Sequence, residues 1–346
     1  MRSDPGLLLQ PSEAEPGDHR PADLPQLSRS GRRLLLVALL AAFGCGTETT
    51  APVGEAPASE ATATIIAHRG ASGYLPEHTL EAYAVGHAQG AEYIEPDLVL
   101  TRDGELICLH DIHLEGTTNV EAVFPNRARD DGRYYAADFT LEEIRALDAE
   151  ERLEGRFPQG ASHFKVPTFV EMVELVRGLN RSTGRDAGIY PELKAGAWHD
   201  ESGLDIEERF VEVARGLEGL GSELPVFVQS FEPQSLRELV ERELELPLVQ
   251  LVSERQSELL TADGLAEVAG YANGIGPSKA LIEEDPQIVA RAHEQGLVVH
   301  PYTFRADSVG AGYASFAEEV RAFVRDYGVD GLFTDFPDLA RAALDR

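Results

Sequence analysis

From residue 63 onward, short apolar runs alternate with longer stretches of helical periodicity, and this rhythm confines the chain to a parallel β/α architecture. The runs are TIIAH, EYIEPDLVL, ELICLH, GIYPELK, LPVFVQSF, LPLVQLV, NGIGPS, LVVHPYTF and DGLFTDFP, and helical stretches such as FVEMVELVRGLN and FAEEVRAFVRDYG separate most of them. These nine runs predict a closed eight-stranded TIM (β/α)8 barrel with one extra strand. The extra strand can be located. Between EYIEPDLVL and ELICLH lies only an Arg-Asp-Gly-Glu turn with no room for a helix, so these two runs are predicted to form a hairpin. The charged stretch 113–165, which includes ARDDGRYYAADFTLEEIRALDAE, fits no strand–helix repeat and reads as a helical or irregular insertion on the active face.

The first sixty residues have a different character. A polar, proline-bearing segment leads to Arg29, Arg32 and Arg33, then to the apolar run LLLVALLAAF at 34–43 and to GCGTETTAPVGEAPASEA. That layout is a secretion signal over residues 1–45, because a bilayer-spanning helix needs roughly 20 apolar residues. Cys45 after Ala-Phe-Gly resembles the lipobox cysteine of bacterial lipoproteins, with plain signal-peptidase cleavage as the alternative. Residues 46–62 then form a flexible tether, and 63–346 form the barrel domain. The expected location is outside the cytoplasm, periplasmic or anchored to a membrane. Cys108 would be the only thiol of the mature domain, so no intrachain disulfide is expected. Its place in the apolar run LICLH suits a buried structural thiol.

Sixty acidic residues against thirty basic ones give a net charge of −30, which argues against nucleic acid or an anionic membrane surface as partner. Membrane contact would come only through the anchor. An anionic substrate would need a local patch of opposite sign. In barrels of this kind chemistry gathers at the C-terminal ends of the strands. There the runs carry His68-Arg69-Gly70, Glu95 and Asp97, His110-Asp111, Glu192 and Lys194, Gln229, Tyr302 and Asp335.

Glu95 and Asp97 are two residues apart on a strand and share a face. With Glu192 from another strand they make a set of oxygen ligands suited to calcium or magnesium. The alternative is that one of these carboxylates points to solvent. If Asp103 and Gly104 are the two central residues of the hairpin, His110 lies opposite Asp97 and shares its face. His68, ending the first strand, would approach from the other side. Two histidines flanking one anion suit phosphodiester cleavage, one removing a proton from the nucleophile and the other protonating the leaving oxygen. Arg69 and Lys194 could neutralise the phosphate.

The stretches IIAHRGASGYLPEHTLEAY and EYIEPDLVLTRDGELICLHD resemble the glycerophosphodiester phosphodiesterase family, with its His-Arg-Gly, Pro-Glu, Glu-x-Asp, Thr-x-Asp-Gly and His-Asp motifs. The resemblance extends through VQSFEP, VHPYTFRAD and GLFTDFPD and is greatest to the periplasmic branch, which carries the insertion too. It implies a TIM barrel of the phospholipase-C-like phosphodiesterase type that hydrolyses glycerophosphodiesters, such as glycerophosphocholine and glycerophosphoethanolamine, to sn-glycerol 3-phosphate and an alcohol. It also implies Glu95, Asp97 and Glu192 as metal ligands, with calcium the usual ion and magnesium the alternative. His68 and His110 become the acid–base pair and Arg69 a phosphate ligand. Glu77 falls on the Pro-Glu position, Lys194 on the lysine of a Glu-x-Lys, and Phe304 on an aromatic near the glycerol. Gln229, in VQSFEP, joins the substrate-binding set. His78 stands where much of the wider family has asparagine and is read as structural. Oligomeric state stays open, a homodimer included.

Two other classes fit parts of the pattern. A phosphatidylinositol phospholipase C or sphingomyelinase D barrel would use the same histidines but keep a cyclic phosphate product and act at a lipid interface. The acidic composition and the VHPYTFRAD run weigh against it. A surface lipoprotein that only binds a ligand is the non-catalytic alternative, and the intact set of charged strand ends favours chemistry.

Overall fold

A computed structural model describes residues 63–345. The nine apolar runs form eleven strands, because two of them break at a proline, which has no N–H to offer a ladder. Pro96 divides the second run into β2 (Tyr93–Glu95) and β3 (Asp97–Leu100), and Tyr190-Pro191 divides the fourth into β5 (Gly188–Ile189) and β6 (Glu192–Leu193). The others are β1 (Thr64–His68), β4 (Leu106–Cys108), β7 (Val228–Ser230), β8 (Leu248–Val252), β9 (Gly274–Pro277), β10 (Val298–Val299) and β11 (Gly331–Thr334). Parallel pairing runs β11-β1-β2-β5 in one ladder and β10-β9-β8-β7-β6-β3 in the other, with β4 antiparallel at its edge.

The ladders join into one closed TIM barrel. A parallel bridge between Ile189 and Val226 links them on one side. On the other, Asp330 N donates to Val299 O (3.0 Å) and Phe304 N to Phe333 O (2.8 Å). Each broken run thus serves as a single stave of the barrel, interrupted at its proline.

The hairpin differs from its expected register. Leu98 pairs with Cys108, Val99 with Ile107 and Leu100 with Leu106, so Asp97 faces Leu109 rather than His110. The loop has three residues, 102–104, closed by Gly104 in the left-handed region (φ 78°), which glycine enters without steric cost. His110 lies past the end of β4 and reaches the barrel mouth from a loop.

Residues 113–165 hold only short helices, Val120–Val123 and Leu141–Arg145, and a 3₁₀ turn at Ala136–Asp138. They surround a core of their own in which Leu114, Val120, Phe139, Ile144 and Leu147 cover Val99 and Ile107 on the hairpin. Cys108 is fully buried in the main core.

Inside the barrel the site rests on a packed layer. Ile66, Tyr93, Tyr190, Phe227, His300 and Phe333 each stand two residues before a residue at the mouth: His68, Glu95, Glu192, Gln229, Tyr302 and Asp335. A two-residue step keeps the face, so an aromatic floor lies beneath a polar layer. Tyr190 stacks on Phe227 (5.1 Å) and meets Phe333 edge-on (5.0 Å).

Candidate active site

A cavity of about 380 Å³ opens at the C-terminal end of the barrel. His68, Arg69, Glu95, His110, Glu192, Lys194 and Gln229 line one side, and Phe231, Leu251, Glu254, Ser278 and Tyr302 the other. Register explains the charged side, since His68 pairs with Glu95, Asp97 with Glu192, and Glu192 with Gln229 across adjacent strands. Gly70 turns the chain out of β1 at φ 84°, and a Cβ there would meet backbone atoms of Ala82 and Tyr83 at 2.6–2.8 Å. The first helix therefore packs directly against the His-Arg-Gly turn. Arg69 itself has φ 60°, the kind of backbone strain that persists where its surroundings fix it.

Glu95, Asp97 and Glu192 are all buried and bring ligand oxygens within 4.8 Å of one another. Burial and the Asp97 charge push Glu95 well above the usual carboxylate range. Burial lifts Glu192 to about 8 despite Lys194 Nζ at 2.8 Å. Burial acts upward on Asp97 too, but Lys194 and Arg69 overcome it and hold this carboxylate well below its ordinary value. Asp97 is also held by His78, whose Nε2 donates to Asp97 Oδ2 (2.8 Å) while Nδ1 accepts from Tyr83 (2.9 Å). Gln229 Oε1 is buried with no hydrogen-bond partner, a further oxygen at the same site, and its Nε2 faces Glu95 Oε1 at 3.4 Å. Three crowded carboxylates and an orphaned amide oxygen fit a hard divalent cation.

Both histidines are anchored through Nδ1. His68 Nδ1 donates to Asp335 Oδ1 (2.6 Å), a contact between the ends of β1 and β11. The carboxylate can only accept, so the lone pair is on Nε2, which accepts from Arg69 Nε (3.2 Å). Burial and the Arg69 charge bring His68 down to about 4, against the pull of Asp335. His110 Nδ1 donates to Asp111 Oδ1 (2.8 Å), and burial followed by Arg69 lowers its pKa as well. Arg69 bonds Glu77 through Nη1 (2.9 Å) and Glu95 through its backbone N–H (2.6 Å). Burial would raise Glu77, but Arg69, His78 and Arg152 bring it to about 2, so Glu77 is a fixed anion behind the arginine. Imidazoles, cations and acidic cluster face one space sized for a small phosphodiester.

Comparison with known proteins agrees with that geometry. The model of the glycerophosphoryl diester phosphodiesterase family matches residues 68–339, from His68 at the end of β1 to the last helix. The chain belongs to this family. As a glycerophosphoryl diester phosphodiesterase family member it is a phosphoric diester hydrolase. The glycerophosphodiester phosphodiesterase of Haemophilus influenzae is 37% identical over 318 residues, covering 79% of this chain and 87% of the relative. That of Bacillus subtilis is 34% identical over 282 residues, covering 79% and 84%. The crystal structure of a glycerophosphodiester phosphodiesterase from Agrobacterium tumefaciens superposes with a TM-score of 0.59 at 25% identity, covering 81% of this chain and all of that one. A phosphodiesterase from Oleispira antarctica, solved in complex with the product sn-glycerol-3-phosphate, shares the fold (TM-score 0.63, 22% identity, 82% and 97% coverage).

Within this family fold, one expected substrate residue is elsewhere. Phe304 is fully buried, packed edge-on against Phe323 at 4.8 Å, and does not line the cavity. Its neighbours Tyr302, Thr303 and Arg305 do, while Phe304 packs into the core against Phe323. The aromatic side chains at the mouth are Phe231 and Tyr302, in edge contact at 5.6 Å. Cys45 lies outside the described residues. Sequence reasoning gave Asp335 no partner and passed over Arg156 and Glu254. Asp335 had a signal in its place at a strand end, whereas Arg156, within the insertion, had none.

Proposed function

We propose that the protein hydrolyses glycerophosphodiesters, such as glycerophosphocholine and glycerophosphoethanolamine, to sn-glycerol 3-phosphate and an alcohol, and that it depends on calcium, with magnesium as the alternative ion. One observation carries this reading: a cluster of three buried carboxylates meets two imidazoles and the cationic Arg69 and Lys194 at a single cavity. A divalent cation held by Glu95, Asp97 and Glu192 would neutralise their charge and draw electron density from a phosphoryl oxygen.

Arg69 and Lys194 bind the remaining phosphate charge and orient phosphorus. His68, neutral with its Nε2 lone pair accepting from Arg69 Nε (3.2 Å), exchanges that hydrogen bond for the proton of the attacking oxygen. Asp335 stabilises the imidazolium that results, through the Nδ1 hydrogen bond already present. His110, the more open of the two rings, acts in its imidazolium form, giving its Nε2 proton to the alcohol oxygen as the P–O bond breaks while Nδ1 stays bonded to Asp111. The apolar wall of Phe231, Leu251 and Tyr302 excludes water from the remainder of the substrate. The same proposal locates the protein outside the cytoplasm, held by lipid on Cys45 through a tether over residues 46–62.

The test is turnover of a panel of glycerophosphodiesters by the full chain, followed by phosphorus NMR with and without chelator. Activity should vanish on chelation and return with calcium or magnesium. Full activity in the chelated protein would refute the metal dependence, and no turnover of any diester would refute the activity. Alanine at Glu95, Asp97 or Glu192 should weaken calcium binding measured by calorimetry without unfolding the domain, since residues at the barrel mouth serve the site more than the core.

A further inference from the structure

The insertion returns to the barrel mouth through Arg156, whose side chain is only 5% exposed. Its guanidinium makes four hydrogen bonds. Nη2 donates to Asp335 Oδ2 (2.7 Å), Nε and Nη2 donate to the two oxygens of Asp307 (2.8 and 3.2 Å), and Nη1 donates to the Ser72 carbonyl (3.0 Å). Those partners belong to the loops after β11, β10 and β1, so one side chain from outside the barrel repeat ties together three strand ends around His68.

We propose that Arg156 is a positioning residue for His68, acting through Asp335, so that the inserted segment completes the catalytic site. Asp335 gives Oδ1 to His68 and Oδ2 to Arg156 and to Arg305 Nε (2.9 Å). With Oδ2 clamped, the carboxylate cannot rotate about its χ2 bond, and Oδ1 stays where it fixes the plane of the His68 ring at the cavity wall. Arg305 is 35% exposed and contributes a single N–H, whereas Arg156 is buried and held at Asp307 as a two-pronged fork. Four residues earlier, Arg152 Nε donates to Glu77 Oε2 (2.8 Å), and Glu77 holds Arg69. The segment 152–156 thus grips the carboxylates behind both His68 and Arg69. The Arg152 contact is more exposed and counts for less.

This inference rests on His68 acting in proton transfer. Losing the clamp should displace a reacting nitrogen by an ångström or less, which is enough to cost about 10- to 100-fold in rate. Arg156→Gln should therefore lower kcat by that factor while KM stays within about threefold, since no substrate contact is removed. In an Asp335→Asn background the same change should cost less than about twofold, because its route to His68 is already cut. A purely structural Arg156 would give additive losses and move kcat and KM together, and either result would overturn the proposal. Arg156→Lys keeps the charge and fills the site if Arg156→Gln does not fold, and wild-type kcat in that variant would also overturn it. His68→Ala is the control: an inactive control beside a fully active Arg156→Gln sinks this inference alone, whereas an active control sinks the acid–base reading itself.

Discussion

Asp335 has both oxygens committed, one to His68 and one to two arginines, and this makes the two imidazoles of the proposed acid–base pair unequal. Asp111, the partner of His110, is half-exposed and sits one residue along the chain. The buried carboxylate stabilises an imidazolium better than the exposed one, which suits His68 to accept the first proton and His110 to donate the second. A p-nitrophenyl ester needs little leaving-group protonation. His110→Ala should thus lose about 10² to 10⁴ in kcat on glycerophosphocholine and recover much of it on the p-nitrophenyl diester, while His68→Ala stays slow on both. Stopped-flow turnover of both variants on both substrates checks the assignment, and rescue of His68→Ala alone would reverse it. At this scale the sequence was legible where a motif sat on a strand end: Glu95, Asp97, Glu192, His68 and Arg69 all line or underlie one cavity. It misled at Phe304, whose motif position predicts an aromatic by the glycerol but whose side chain faces the core. A motif specifies neighbours in sequence, and tertiary packing, here against Phe323, decides which of them reaches the cavity.

The nine apolar runs were readable as strands because a buried parallel strand is nearly continuous in hydrophobic residues. Their divisions at Pro96 and Pro191 were less so, since a missing N–H changes the ladder without changing hydropathy. The hairpin register turned on one residue of loop length. A two-residue turn would set His110 opposite Asp97, and the observed three-residue loop sets Leu109 there, with Gly104 at φ 78° the deciding feature. His110 still lines the cavity because β4 ends at Cys108 and the following loop bends inward. The insertion was recognisable only as a break in the strand–helix rhythm. Its small core and the reach of Arg156 depend on tertiary contacts between residues far apart in the chain, which no local pattern encodes.

For the molecule as a whole, a net charge of −30 surrounds a cavity whose cationic groups are few and held by carboxylates, so recognition of a phosphodiester is local rather than long-range. The proposed export is tested at this scale. Cys45→Ser should move the protein from the membrane to the soluble fraction of the producing cell, and a wild-type protein already soluble after export would end the lipid-anchor reading. Acid stability belongs to this scale too, and it follows from the barrel floor. His300 is 3% exposed, shares a hydrogen bond with Tyr190 Oη (3.0 Å) and meets Phe227 edge-on, and the Asp330 charge only partly offsets its burial. Burial lowers its pKa to about 4 from an ordinary 6.5. A group depressed in the folded state contributes stability that is complete above the unfolded value and is lost as pH falls through the folded one. The window here is pH 6.5 to 4. A shift of this size is worth roughly 3 kcal/mol, gained by the unfolded chain as it takes up a proton that the folded barrel refuses. His300→Gln keeps a hydrogen-bond acceptor for Tyr190 and cannot titrate. Urea unfolding followed between pH 7 and 4.5 should therefore show a shallower loss of stability in the variant than in the wild type, even though the variant starts lower at pH 7. Parallel pH slopes in the two proteins would mean that acid attacks elsewhere, with His68, brought to the same low value at the mouth, as the next group to replace.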